Sequence, residues 1–178
     1  MNYTYIVDQY YDECDNPREW DNLGVMVTWH GRYTLGDEQP RLEPADWAAD
    51  LKRKHPRAVI LQLFLYDHSG ITISTEPFSC SWDSGQIGYI YTTLERARDL
   101  GHDWKRLTKA RREALKDMLR GEVKTYDQYI RGDIYRFTIE NEDGEILDSC
   151  GGFYDREECE QEAKALVKYY QDNDRKAA

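Results

Sequence analysis

The chain has 178 residues, 40% of them hydrophobic and 33% charged, with a formal net charge of -10. That length suits one folded domain with a sizeable core, and such acidity opposes nucleic-acid binding by the surface as a whole. No apolar run reaches the roughly 18 residues of a transmembrane helix, MNYTYIVDQYYDE at the N-terminus has no apolar h-region, and Cys14, Cys80, Cys150 and Cys159 form no C-x-x-C or zinc-finger pair. A cytoplasmic protein with reduced cysteines, no membrane association, no metal and no cofactor is expected.

YTYIV (3–7) is β-branched and aromatic and predicts a strand. The polar stretch ECDNPREWDNLG (13–24) connects it to a second strand, GVMVTWH (24–30), after which RYTLGDEQPRL reads as loop. PADWAADLKRKHP (44–56) predicts a helix: Pro44 suits the first position, Asp46 and Lys52-Arg53-Lys54 complement the two ends of the dipole, and Pro56 stops it. AVILQLFLYD (58–67) is the most apolar run and predicts a strand covered on both faces. HSG then turns the chain, and ITIST (71–75) pairs back as a hairpin. EPFSCSWDSGQ reads as loop and IGYIYTT (87–93) as strand, with Thr93 capping a short helix, LERARDL, that Gly101 ends.

LTKARREALKDML (107–119) predicts an amphipathic helix with Leu107, Ala110, Ala114, Leu115, Met118 and Leu119 on its buried stripe. Gly121 is expected to break it, leaving EVKTYDQYIRG as a shorter helical piece. DIYRFTIENEDGEILDSC predicts a hairpin turning at Asp143-Gly144. Asp155 and Glu158 open a last helix that runs to about Tyr170, with Cys159, Ala163, Leu166, Val167 and Tyr170 on one face and a frayed tail from about 171. Hairpins separated by helices, rather than a β-α-β alternation, predict an α+β fold. Its sheet is mixed or mainly antiparallel, helices pack on one face, a C-terminal hairpin precedes a helix, and residues 1–178 form a single domain.

The phosphate-loop, dinucleotide, nucleophile-elbow and zinc-protease signatures are all missing, which argues against the common classes of ATPase, hydrolase and metalloprotease. In the opening loop Asp12, Glu13, Asp15, Asn16, Asp21 and Asn22 supply oxygen atoms of the kind calcium takes, but not at EF-hand spacing. Asn16-Pro17 favours a turn, so the loop reads first as an ordered connection. Its second reading is a recognition surface of Asp12, Asp15, Asn16, Arg18, Trp20 and Asp21, because Arg and Trp are the residue types that anchor interfaces. Between 67 and 92 the catalytic candidates are His68, Cys80 and Asp83, with His30 as a further base. Asp67-His68-Ser69 is not a triad, since neighbours in a turn point apart. Trp82 and Gln86, in SWDSGQ, are candidates for partner binding. Seven bases against two acids over residues 105–120 suggest a solvated helix face rather than a phosphate-binding one.

Two blocks, NPREWDNLG with the histidine and RYTLGD after it (16–37) and HSGITISTEPFSCSWDSGQIGYIY (68–92), resemble an uncharacterised family of small proteins encoded by phages and other mobile elements of bacteria. TYDQYIRGDIY and DSCGGFYD fit the same pattern. The resemblance implies a setting, an accessory protein in a bacterial cytoplasm, and carries over no activity or catalytic residue. The expected function is therefore binding to a bacterial host protein. Its concrete form is inhibition of a defence nuclease of the restriction or RNA-guided type, with carboxylates entering a channel built for phosphates. Two alternatives stand beside it: a small enzyme built around His68, Cys80, Trp82, Asp83 and Gln86, and a structural module that associates through its tyrosine-rich strands.

Overall fold

A computed structural model describes residues 2–10 and 14–177. In chain order the elements are β1 (Thr4–Gln9), β2 (Val25–Thr28), α1 (Pro44–Lys54), β3 (Val59–Asp67), β4 (Ile71–Ser74), β5 (Ser84–Thr92), α2 (Leu94–Asp99), α3 (Lys109–Arg131), β6 (Tyr135–Glu140), β7 (Ile146–Phe153) and α4 (Arg156–Ala177), with one 3₁₀ turn at Pro17–Glu19. The fold is α+β, with every strand pair antiparallel. The chain divides into two compact units, Asn16–Asp127 and a smaller one made of Met1–Asp15 with Gln128–Ala178. Among the described residues no helix is long and apolar enough to cross a membrane.

The larger unit is built on the sheet β2-β5-β3-β4. Its centre is dry: Met26, Val27, Val59, Leu63 and Ile90 are fully buried. Gly88 lies opposite Thr28, and a Cβ there would fall 2.0 Å from the Val27 carbonyl oxygen, so β2 and β5 approach only because this position has no side chain. Successive residues of β5 face opposite ways. Ile90 meets Leu119 of α3 around Gly24, whose own Cβ would lie 2.6 Å from each. On the other face Tyr89 stacks on Trp47 of α1 with ring centres 5.6 Å apart, and Tyr91 meets the same indole edge-on. This sheet therefore carries a helix on each face. The expected arrangement, helices on one face, describes the smaller unit.

The helix α3 differs from expectation in an instructive way. Gly121 does not break it. A glycine inside a helix costs about 1 kcal/mol relative to alanine. Leu115, Leu119, Val123 and Tyr126 recur at helical spacing on both sides of it, and their burial outweighs that cost. The buried stripe is rotated from the expected one, and Met118 is 39% exposed. The helix is also fastened by polar contacts: Asp127 Oδ1 accepts the Ile73 amide of the edge strand β4 at 2.8 Å, and the Tyr126 hydroxyl accepts the Gly36 amide at 3.1 Å.

In the smaller unit the sheet β1-β6-β7 packs against α4. Phe137 and Ile139 of β6 meet Cys159 and Ala163 of α4, with Tyr5, Val7, Phe153, Leu166, Val167 and Tyr170 around them. Cys159, Ala163, Leu166, Val167 and Tyr170 are the face read from the sequence. The helix continues to Ala177 instead of ending near Tyr170, and the Tyr3 hydroxyl donates to Asp174 at 2.6 Å within that added length. In the β6–β7 turn only Gly144 takes a positive φ, of 77°. Asn141 organises the rest, its side-chain oxygen accepting the amides of Asp143 and Glu145.

Two measurements test this packing. Gly88→Ala is expected to separate β2 from β5 and cost about 3 kcal/mol in urea unfolding, at the upper end for overpacking because the obstacle is backbone. Burial pushes the Cys159 thiol up to about 11. In the native protein it should therefore stay unmodified by iodoacetamide at pH 8 and label only after denaturation, as read by peptide mass spectrometry.

Candidate functional site

The opening loop folds around its proline. Asn16 Oδ1 accepts the Arg18 amide at 3.0 Å, Pro17 is buried at the first position of the 3₁₀ turn, and the next side chain, Arg18, turns inward with 3% of it exposed. Its guanidinium donates from Nε and Nη2 to the two oxygens of Asp37, at 2.9 and 2.7 Å. Nη1 donates to Glu122 at 2.9 Å and Nη2 also to the Gly24 carbonyl at 2.8 Å. Both carboxylates have further donors: Glu122 accepts the amides of Leu23 and Gly24, and Asp37 that of Met26. Burial alone would lower the ionisation of Arg18, but Asp37 and then Glu122 outweigh it and hold the guanidinium above its ordinary value. Arg18 thus spends four of its five N–H donors inside the larger unit, and its buried side chain is not presented to a partner.

Above this network lies an open cavity of about 510 Å³, lined among others by Asn16, Glu19, Trp20, Asn22, Asp37, Glu38 and Arg96. Its two cations are occupied. Arg18 is held as described, and Arg96 donates to the carbonyls of Asn22 at 2.7 Å and Leu23 at 2.9 Å. Asn22 in turn donates its side-chain amide to the Pro17 and Trp20 carbonyls. Two carboxylates are not occupied: among the described residues Glu19 and Glu38 have no side-chain hydrogen bond or ion pair. Trp20 stands at the rim, 49% exposed. Burial, then the charge of Glu38, hold the nearby Tyr91 hydroxyl above its usual value. Asp21 is exposed beside Trp20. Asp15 belongs to the smaller unit, where its carbonyl accepts the Tyr154 hydroxyl at 3.4 Å. Asp12 and Glu13 lie outside the described residues.

The second group of candidates does converge, but in the wrong order for nucleophilic catalysis. His68 Nδ1 lies 3.3 Å from Asp83 Oδ2, and the Cys80 thiol donates to the same oxygen at 3.7 Å. The carboxylate stands between thiol and imidazole, so the contacts do not pair the thiol with the imidazole that would serve as its base. His30, the further base considered, uses its Nδ1 to accept the amides of Arg32 and Tyr33 and stacks on the Tyr33 ring. No group of three or more His, Cys, Asp or Glu side chains among the described residues has metal-binding geometry. Trp82, by contrast, is 94% exposed. Gln86 is not in the loop with it: β5 begins at Ser84, and Gln86 pairs opposite Phe64, its side chain bonded to that of Gln62 at 3.2 Å.

The basic stretch before and within α3 is largely tied to its own surroundings. Arg111 lies over the Trp104 ring, Arg112 donates to the carbonyls of Arg57 and Ala58, and Lys116 and Arg120 pair with Glu113 and Asp117. Asp37, Glu38 and Arg96 of the cleft, and Glu122 of the network beneath it, are not singled out by the sequence. The one local signal was Gly36 before Asp37, whose φ of 71° turns the chain back onto Met26. The chain matches no protein-family model, no curated protein and no solved structure.

Replacing Arg18 with alanine would leave Asp37 and Glu122 facing each other without their cation. A loss of about 3–5 kcal/mol is expected by urea denaturation, with little recovery in Arg18→Lys because an ammonium cannot reproduce the forked contacts.

Proposed function

We propose that this protein acts by binding another protein, and that the Trp20-rimmed cleft takes a basic side chain of that partner. The observation that carries the reading is the asymmetry of the cleft: its guanidinium groups are committed inward, while Glu19 and Glu38 are not committed at all. A lysine or arginine entering there meets two carboxylates and an indole face, the combination that holds organic cations. Trp82, exposed almost completely at a loop tip, supplies a further anchor of the type that dominates interface energies.

In its concrete form the partner is a bacterial nuclease of a defence system, and the protein is an inhibitor encoded by a mobile element. Nucleic-acid channels are lined with lysine and arginine, the side chains this cleft suits. Eleven acids against three bases in the first 50 residues support the same reading. The remaining basic residues restrict it to a patch rather than mimicry of a duplex by the whole surface.

A tagged pull-down from nuclease-treated bacterial lysate, followed by mass spectrometry, tests the proposal. One stoichiometric host protein is expected, lost or weakened at least about tenfold by Glu38→Lys or Trp20→Ala, with affinity falling as salt rises. A partner retained unchanged by both variants would place the interface elsewhere. No partner under any condition would count against the reading.

A further inference from the structure

The larger unit has a second cavity whose charge is opposite to that of the first. It measures about 240 Å³ and lies between the turn after α1 and the start of α2. Lys54, His55, Arg57 and Arg98 line it, against a single carboxylate, Glu95. In a chain of net charge -10 such a concentration of bases is a local inversion.

The bases differ in how far they are engaged. Lys54 pairs with Asp50 at 2.7 Å. Arg98 donates to the carbonyls of Trp104 and Lys105 at 2.7 and 2.9 Å, which fixes the side chain and leaves three of its five N–H donors. Among the described residues the side chains of Arg57 and His55 have no hydrogen-bond or ion-pair partner at all. The turn that carries them is nevertheless anchored. Pro56 fixes one φ, and the Arg112 guanidinium donates to the carbonyls of Arg57 and Ala58, each at 3.2 Å. Uncommitted donors on an anchored turn are the condition under which an anion binds without a large ordering cost.

We infer that this cavity binds the phosphate monoester of a small molecule. The donors come from two separate segments and approach from different directions, which suits the several oxygens of a dianionic phosphoryl group better than the two of a carboxylate. Pro56, Ala58 and Leu94 give the rest of the wall an apolar surface for the body that carries the phosphate. The volume admits a ligand smaller than a typical drug, and the acidity of the whole chain disfavours a long polyanion. The site shares no lining residue with the Trp20 cleft, so the inference stands or falls separately from the protein-binding reading.

The test is an amide NMR titration of the full chain with adenosine 5′-monophosphate. A parallel arm uses an oligonucleotide that lacks terminal phosphates. Saturable shifts confined to residues 54–58 and 93–98 are expected with the monophosphate. Arg57→Glu, at an exposed side chain with no hydrogen-bond or ion-pair partner among the described residues, should weaken them about tenfold or more. Lys168→Glu, which changes the net charge equally but lies on α4, should leave them unchanged. Shifts that do not saturate, or that respond alike to both substitutions, would overturn the inference. So would tighter binding of the oligonucleotide than of the monophosphate.

Discussion

The larger unit depends on one buried cation. Arg18 joins three segments far apart in the chain: the opening loop, the stretch after β2 that carries Asp37, and the middle of α3 at Glu122. One guanidinium between two carboxylates leaves an excess negative charge, and burying such a group is costly unless every oxygen is satisfied. The amides of Leu23, Gly24 and Met26 supply what is missing. A network closed in this way acts as a unit and specifies one arrangement of its parts. The exposed pairs along α3, such as Lys116 with Glu113, have no comparable role, because water competes for both partners.

The same network sets the character of the surface above it. Because Arg18 and Arg96 are drawn inward to hold the loop, the acids at the rim are left without cations, and the cleft is negative although two of its lining residues are arginines. The helix α2 extends this sorting of charge. It is only six residues long, yet Arg96 fastens the carbonyls of Asn22 and Leu23 on one side, and Arg98 fastens those of Trp104 and Lys105 on the other. A strongly acidic chain can thereby present both an acidic and a basic concavity within one compact unit.

Most of the fold was legible in the sequence, because the signals were local. Pro44 opening α1, Thr93 capping α2 and the helical spacing of Cys159, Ala163 and Leu166 each act within a turn or two of the chain. What was not legible depended on distant partners. Gly121 reads as a breaker unless Val123 and Tyr126 are known to be buried. Arg18 reads as an exposed anchor unless Asp37 and Glu122, 19 and 104 positions away, are known to meet it. The sequence offers His68, Cys80 and Asp83 as candidates without showing that they meet, and the structure brings them together. Which of them stands in the middle is a matter of side-chain direction, and spacing along a chain does not contain it.

The amide of Ile73 has a consequence of its own. β4 is the outermost strand of its sheet, and an outermost strand offers its outward amides to any other strand that comes by. Here one of those amides is already claimed by the carboxylate of Asp127, and the strand is only four residues long. Growth of this sheet into a neighbouring molecule would first have to displace a side chain of the same chain. A single aspartate on α3 thus occupies, from within the same chain, a pairing position that an added strand would need on this border.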